Sequence, residues 1–180
     1  MGKHIRLANE IIRERRESLG ISHEEMAAAM GLSAVYYDLE DFDTEVFRCV
    51  SLAELLRLCD VLRITPKDIF EGSSSPSEIP PPRSKYPVGG LASLRPLIAA
   101  ELARTGETVC EFEDRVGWSG MSEFLSGAAS GLGWNVYELS CVCDGCGADW
   151  LDVLQNEFEA GEWRRVGGSG GEGGNQQPGK

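Results

Sequence analysis

The sequence predicts an all-α protein in which one five-helix unit occurs twice, over residues 5–71 and again over residues 91–155. Three observations lead there. Shifted by 86, the run Ser22–Ser33 lies on Thr108–Ser119, and shifted by 84, Ser51–Phe70 lies on Asn135–Leu154 without a gap. Glu54, Leu55, Cys59, Asp60 and Asp68 then meet Glu138, Leu139, Cys143, Asp144 and Asp152. The helix-start chemistry repeats as well, and the apolar residues between the starts fall at helical spacing. An internal repeat is settled first, because it changes the meaning of every residue read after it.

The elements follow in order. Ile5, Ala8, Ile12 and Leu19 form one apolar stripe on a first helix that Gly20 ends. Ser22 with Glu25 has capping-box spacing, where the hydroxyl accepts from one free backbone N–H and the carboxylate from another. That predicts a short second helix to Met30, and Gly31 turns the chain into a third helix starting near Ser33. An irregular stretch from Asp41 to Val50 leads to a fourth helix from Ser51 to about Arg63, and Thr65 caps a fifth that ends near Glu71. In the second copy Thr108 with Glu111 and Asn135 with Glu138 repeat the first two starts, and Asp149 with Asp152 matches Thr65 with Asp68. The last helix is expected to run on through Phe158 to Trp163. The two offsets differ because the loop after the third helix is two residues shorter in the second copy.

These boundaries give four regions: a helical domain at 1–72, a linker at 73–90, a divergent helical domain at 91–166 and a tail at 167–180. The linker has the Ser, Pro and Gly content of an extended spacer, with Pro80, Pro81 and Pro82 in succession. The tail is rich in glycine and has no apolar surface to bury, so disorder is expected there.

Composition sets the outer bounds. The chain has 180 residues and a formal net charge of −12. No run approaches the roughly 18–20 apolar residues of a membrane span, and the first residues lack an apolar signal core, so a cytoplasmic protein with no membrane partner is expected. Nucleic-acid binding rests largely on Lys and Arg neutralising phosphates, and an acidic balance opposes it unless the cations gather on one face. Lys3, His4, Arg6, Arg13, Arg15 and Arg16 make such a gathering at the start of the chain. Arg13 and Arg16 alternate there with Glu10, Glu14 and Glu17, the pattern of a solvated helix laced with ion pairs.

Cys141, Cys143 and Cys146 form C-x-C-x₂-C, which raises the question of a metal. The repeat answers it differently. Cys143 aligns with Cys59 and Cys146 with Leu62, apolar positions of a fourth helix, and Cys141 falls on Arg57. Free cysteine packs as a small hydrophobe, so core placement is the expectation, with no metal and no cofactor. There is no glycine-rich phosphate loop, G-x-S-x-G or HExxH motif, and an enzyme is not expected.

The run ISHEEMAAAMGLS, then Leu39-Glu40, then SLAELLRLCDVLRITPKDIF resembles the lambda-repressor-like (Xre/Cro-type) helix-turn-helix family over residues 5–71. The second copy joins it only through the repeat. The resemblance implies two small five-helix domains in tandem, of a kind that usually binds double-stranded DNA and regulates transcription. In that motif the second helix packs across the third, whose first side chains enter the major groove. The matching positions are Ser33, Ala34, Tyr36 and Tyr37, with Ser22 and His23 at the start of the second helix and Arg16 as a phosphate contact. Two departures weigh against base readout. The third helix carries no Arg, Lys, Gln or Asn, the residues that bond guanine or adenine edges in pairs. The second copy offers only Gly120, Met121, Ser122 and Glu123 at the corresponding place.

The expected function is therefore a sequence-specific DNA-binding regulator, with the second copy assigned to dimerisation or to a protein partner. Two motifs imitating a dimer on two half-sites fit the reach of the linker (~60 Å extended against ~34 Å between half-sites), but the acidic second motif argues against that. The alternative is an interaction module, antitoxin-like or antirepressor-like, whose acidic helix-turn-helix binds a basic protein rather than DNA.

Overall fold

A computed structural model of the chain describes residues 2–31, 47–71, 88–161 and 163–166, with side chains from Ala8 onward in the first helix. Regular structure among these residues is entirely helical. The first copy comprises α1 (Gly2–Leu19), α2 (His23–Met30), α3 (Leu52–Leu62) and α4 (Pro66–Glu71). The expected third helix of this copy lies outside the described residues. The second copy opens with a 3₁₀ turn (Leu91–Ser93) and continues as α5 (Leu94–Thr105), α6 (Val109–Val116), α7 (Met121–Ser126), α8 (Val136–Cys146) and α9 (Trp150–Ala160). A last turn, α10 (Trp163–Val166), follows. No described helix is long and apolar enough to cross a membrane.

The paired starts form as chemistry dictates. Ser22, Ser51, Thr108 and Asn135 each accept from the backbone N–H three residues on, and the Glu at that position returns to the cap N–H. Thr65 and Asp68 make the same reciprocal pair at 2.8 and 3.2 Å. Asp149 departs slightly, its Oδ1 accepting from both Leu151 N and Asp152 N. The helix ends recur too. Gly20 and Gly106, Gly31 and Gly117, and Arg63 and Gly147 all have left-handed backbones, each pair related by one of the two shifts. Arg63 is the one described non-glycine residue in that conformation, with φ 54°. Its partner Gly147 adopts the same shape without a Cβ to clash.

One expected element ends early. The final helix stops at Ala160, because Gly161 turns left-handed (φ 67°) and returns its N–H to Glu157 O. The chain restarts at Trp163, whose indole is buried and stacks against Phe158 at 6.2 Å.

Packing joins the copies. A single buried cluster includes Ile12, Met26, Leu56 and Phe70 of the first copy with Leu94, Phe112, Leu139 and Leu154 of the second. The end of the proline-rich stretch already belongs to it. Val88 packs on the cluster, Asn156 Nδ2 donates to Val88 O at 3.0 Å, and Leu91 N donates to the buried Glu157 carboxylate at 2.8 Å. A side chain at Gly90 would collide with that same carboxylate. The fifth helices α4 and α9 lie against each other, with Phe70 edge-on to Trp150 at 5.1 Å. Apolar faces of two small units thus cover one another, which removes more surface from water than either unit could alone.

Candidate nucleic-acid interface

Helix α2 and the turn after it build the described part of the candidate interface. Ser22 Oγ accepts from Glu25 N at 3.1 Å and Glu25 Oε2 accepts from Ser22 N at 2.8 Å, so the first turn is closed by its own capping box. His23 follows, half-buried, with the exposed carboxylates of Glu24 and Glu25 beside it. At the far end Gly31 adopts φ 75°, ending α2. Ser33, Ala34, Tyr36 and Tyr37, the positions expected to face a groove, lie outside the described residues.

The basic gathering near the start of the chain is thinner in three dimensions than along the sequence. Arg16 is buried, 7% exposed, and its Nη1 donates to Ile21 O at 2.9 Å. Its charge therefore holds the turn between α1 and α2. Arg15 Nε donates to Leu62 O at 2.9 Å, satisfying a carbonyl at the end of α3. Lys67 is directed into the contact between the copies. The side chains of Lys3, His4 and Arg6 lie outside the described residues. Arg13 and Arg63 are exposed and Arg57 is half-buried, and none of these three is tied into an ion pair among the described residues. Arg57 stands beside the end of α2: its Nη1 would lie 4.0 Å from a Cβ built on Gly31. Sequence reading passed over it because it sits on the fourth helix, far along the chain from the turn it approaches.

In the second copy the corresponding segments, α6, α7 and the turn between them, are all described. Gly120 caps α7 with φ 97°, and the first N–H groups of that helix are already taken. Glu113 Oε1 accepts from Gly120 N at 2.9 Å and from Met121 N at 2.7 Å. A carboxylate already seated on the first two N–H groups disfavours a phosphate at this helix start. Met121 and Phe124 are buried, and Trp134 packs on both Phe124 and Trp118 at 4.6 and 4.8 Å. Outward, α7 presents Ser122, Glu123 and Ser126.

The surrounding cations among the described residues are engaged. Arg95 donates to Phe124 O and Ala129 O, Arg104 pairs with Glu101, and Arg115 pairs with Glu107 at 2.8 Å. Arg115 holds the Glu107 carboxyl below its usual range, chiefly through their hydrogen bonds. Glu111 is held low by the backbone and hydroxyl of Thr108. Exposed Glu111, Asp114 and Glu123 leave this face acidic.

Comparison with protein-family models, with curated proteins and with solved structures finds no match to this chain.

Three of the six cysteines take core positions. Cys59 and Cys143 are fully buried and Cys146 nearly so, while Cys141 is half-buried. Burial pushes the Cys59 and Cys143 thiols far up and brings Cys146 to about 11. Protonated thiols of this kind are poor nucleophiles and poor ligands. No group of His, Cys, Asp and Glu among the described residues is arranged to hold a metal ion.

Proposed function

We propose that the chain is a DNA-binding regulator in which the first copy meets DNA and the second serves as its packing partner. The observation that carries this reading is the contrast between Arg57 and its counterpart Cys141, 84 residues on. In the first copy the Arg57 guanidinium, with no ion pair among the described residues, stands beside Gly31 at the end of α2. In the second copy the same place holds Cys141, and α7 starts on the Glu113 carboxylate. A cation of the kind a phosphate contact needs thus stands beside α2, and its counterpart position holds none.

Fluorescence anisotropy with random-sequence duplex DNA over a salt series tests the proposal. Affinity should fall as salt rises, and Arg57→Ala should reduce the slope by about 1, the contribution of one phosphate contact. Tyr36→Ala should weaken binding without changing the fold. Absence of binding at the lowest salt would overturn the reading.

A second reading has its own support. The carboxylate-capped α7 and the net charge of −12 suit an interaction module for a basic protein. That reading is favoured if DNA binding is undetectable while a polylysine probe binds with a salt dependence that Glu123→Gln and Asp114→Asn reduce.

A further inference from the structure

The contact between the copies is reciprocal at the level of elements, each fourth-helix start meeting the loop before the other. In an isologous interface, residue i of one unit meets residue j of the other, and j of the first meets i of the second. The shift of 84 makes Ala53 and Tyr137 counterparts at the fourth-helix starts, and Arg48 and Leu132 each lie in the loop before one of those starts. Ala53 N donates to Leu132 O at 3.0 Å. In the other direction the Arg48 guanidinium lies over the Tyr137 ring, 4.8 Å from the centroid, a different contact between the same two kinds of element. Around this pair, Leu52 N donates to Trp134 O at 2.6 Å and Asn135 Nδ2 donates to Arg48 O at 3.0 Å, so each fourth-helix start reaches the loop before the other. The fifth helices complete the pattern by packing on each other.

We propose that the second copy occupies, within one chain, the surface through which the first copy would pair with a like unit. The protein is a fused pseudo-dimer that works as a monomer. The pairing chemistry supports a like unit as the occupant. Lys67 Nζ meets Asp152 Oδ1 at 2.9 Å, and Asp152 is the counterpart of Asp68. A second first copy placed there would present Asp68 to Lys67 and conserve the charge pair. This inference stands apart from DNA binding, since it concerns the face opposite in role to the candidate interface.

Sedimentation equilibrium of the full chain, with and without Asp152→Lys, provides the test. Wild type should give the mass of one chain, 19.6 kDa, at every concentration. A concentration-dependent dimer of wild type would overturn the proposal. Asp152→Lys sets like charges face to face and displaces the second copy, freeing the first to pair across chains. That variant should run as a dimer, and Lys67→Asp added to it should restore the monomer. An Asp152→Lys protein with wild-type circular dichroism and the mass of one chain would overturn the proposal. If that variant does not fold, the wild-type mass alone decides, and a dimer there refutes the idea.

Discussion

Lys67 Nζ and Asp152 Oδ1, 85 residues apart in the chain, meet at 2.9 Å with side chains only 13% and 5% exposed. The pair joins α4 to α9, and Lys67 N adds a bond to Gln155 Oε1 at 3.2 Å. A buried ion pair adds little beyond a well-packed apolar pair, but losing one partner strands the other. Lys67→Met should therefore destabilise the protein by about 2–3 kcal/mol in urea unfolding. Lys67→Met with Asp152→Leu should recover most of that loss. Equal destabilisation of the single and double variants would show that the charges are not coupled.

Arg63 carries a left-handed backbone where the second copy has Gly147. Its side chain is exposed, so little packing is at stake. Arg63→Gly should raise stability by roughly 0.5–1 kcal/mol, because glycine adopts this conformation without a Cβ clash. Gly147→Ala should lower it by a similar amount. Thermal unfolding of the two variants, expected to shift in opposite directions, checks the claim.

Gly145 shows how the copies have diverged in packing. Its counterpart is Val61, yet a Cβ at Gly145 would come within 2.6 Å of Val116 Cγ1 and 3.0 Å of Phe112 Cζ. Alanine is the better helix former by about 1 kcal/mol. The clash should outweigh that gain, giving Gly145→Ala a net loss of about 1–2 kcal/mol. A stabilised variant would mean that α6 and α8 can separate at no cost.

Thiol chemistry gives a pH dependence with a definite sign. A thiol is neutral when protonated, and burial raises the folded-state value of Cys146 from 9.0 to about 11. Below pH 9 both states keep the proton, and the stabilisation is complete. Between about 9 and 11 the unfolded chain releases a proton that the folded chain retains, so stability falls. Cys146→Ala should make that fall shallower by up to about 1.4 kcal/mol per pH unit. At neutral pH an aromatic disulfide reagent should label exposed Cys49 and Cys110 first, with Cys59 and Cys143 labelled only on unfolding.

Much of the local structure was legible in the residues themselves. Ser51 and Glu54, or Thr65 and Asp68, bond within three positions of each other, so their spacing alone carries the geometry. Arg16 was not legible in this way. Along the chain it alternates with acids like any solvated arginine, but its guanidinium closes a turn against Ile21 O, out of water. The early stop at Gly161 was missed for a related reason. The apolar pattern of Phe158 and Trp163 is compatible with one helix or with two, and a single left-handed glycine chose between them.

The residue order determined the helices, their caps and the repetition, because each depends on partners a few positions away. Tertiary structure decided which arginines keep their charge available, that Glu113 closes the start of α7, and that the two copies share one interior. Those outcomes depend on groups brought together from distant parts of the chain, where apolar surface left open by one small unit is covered by the other.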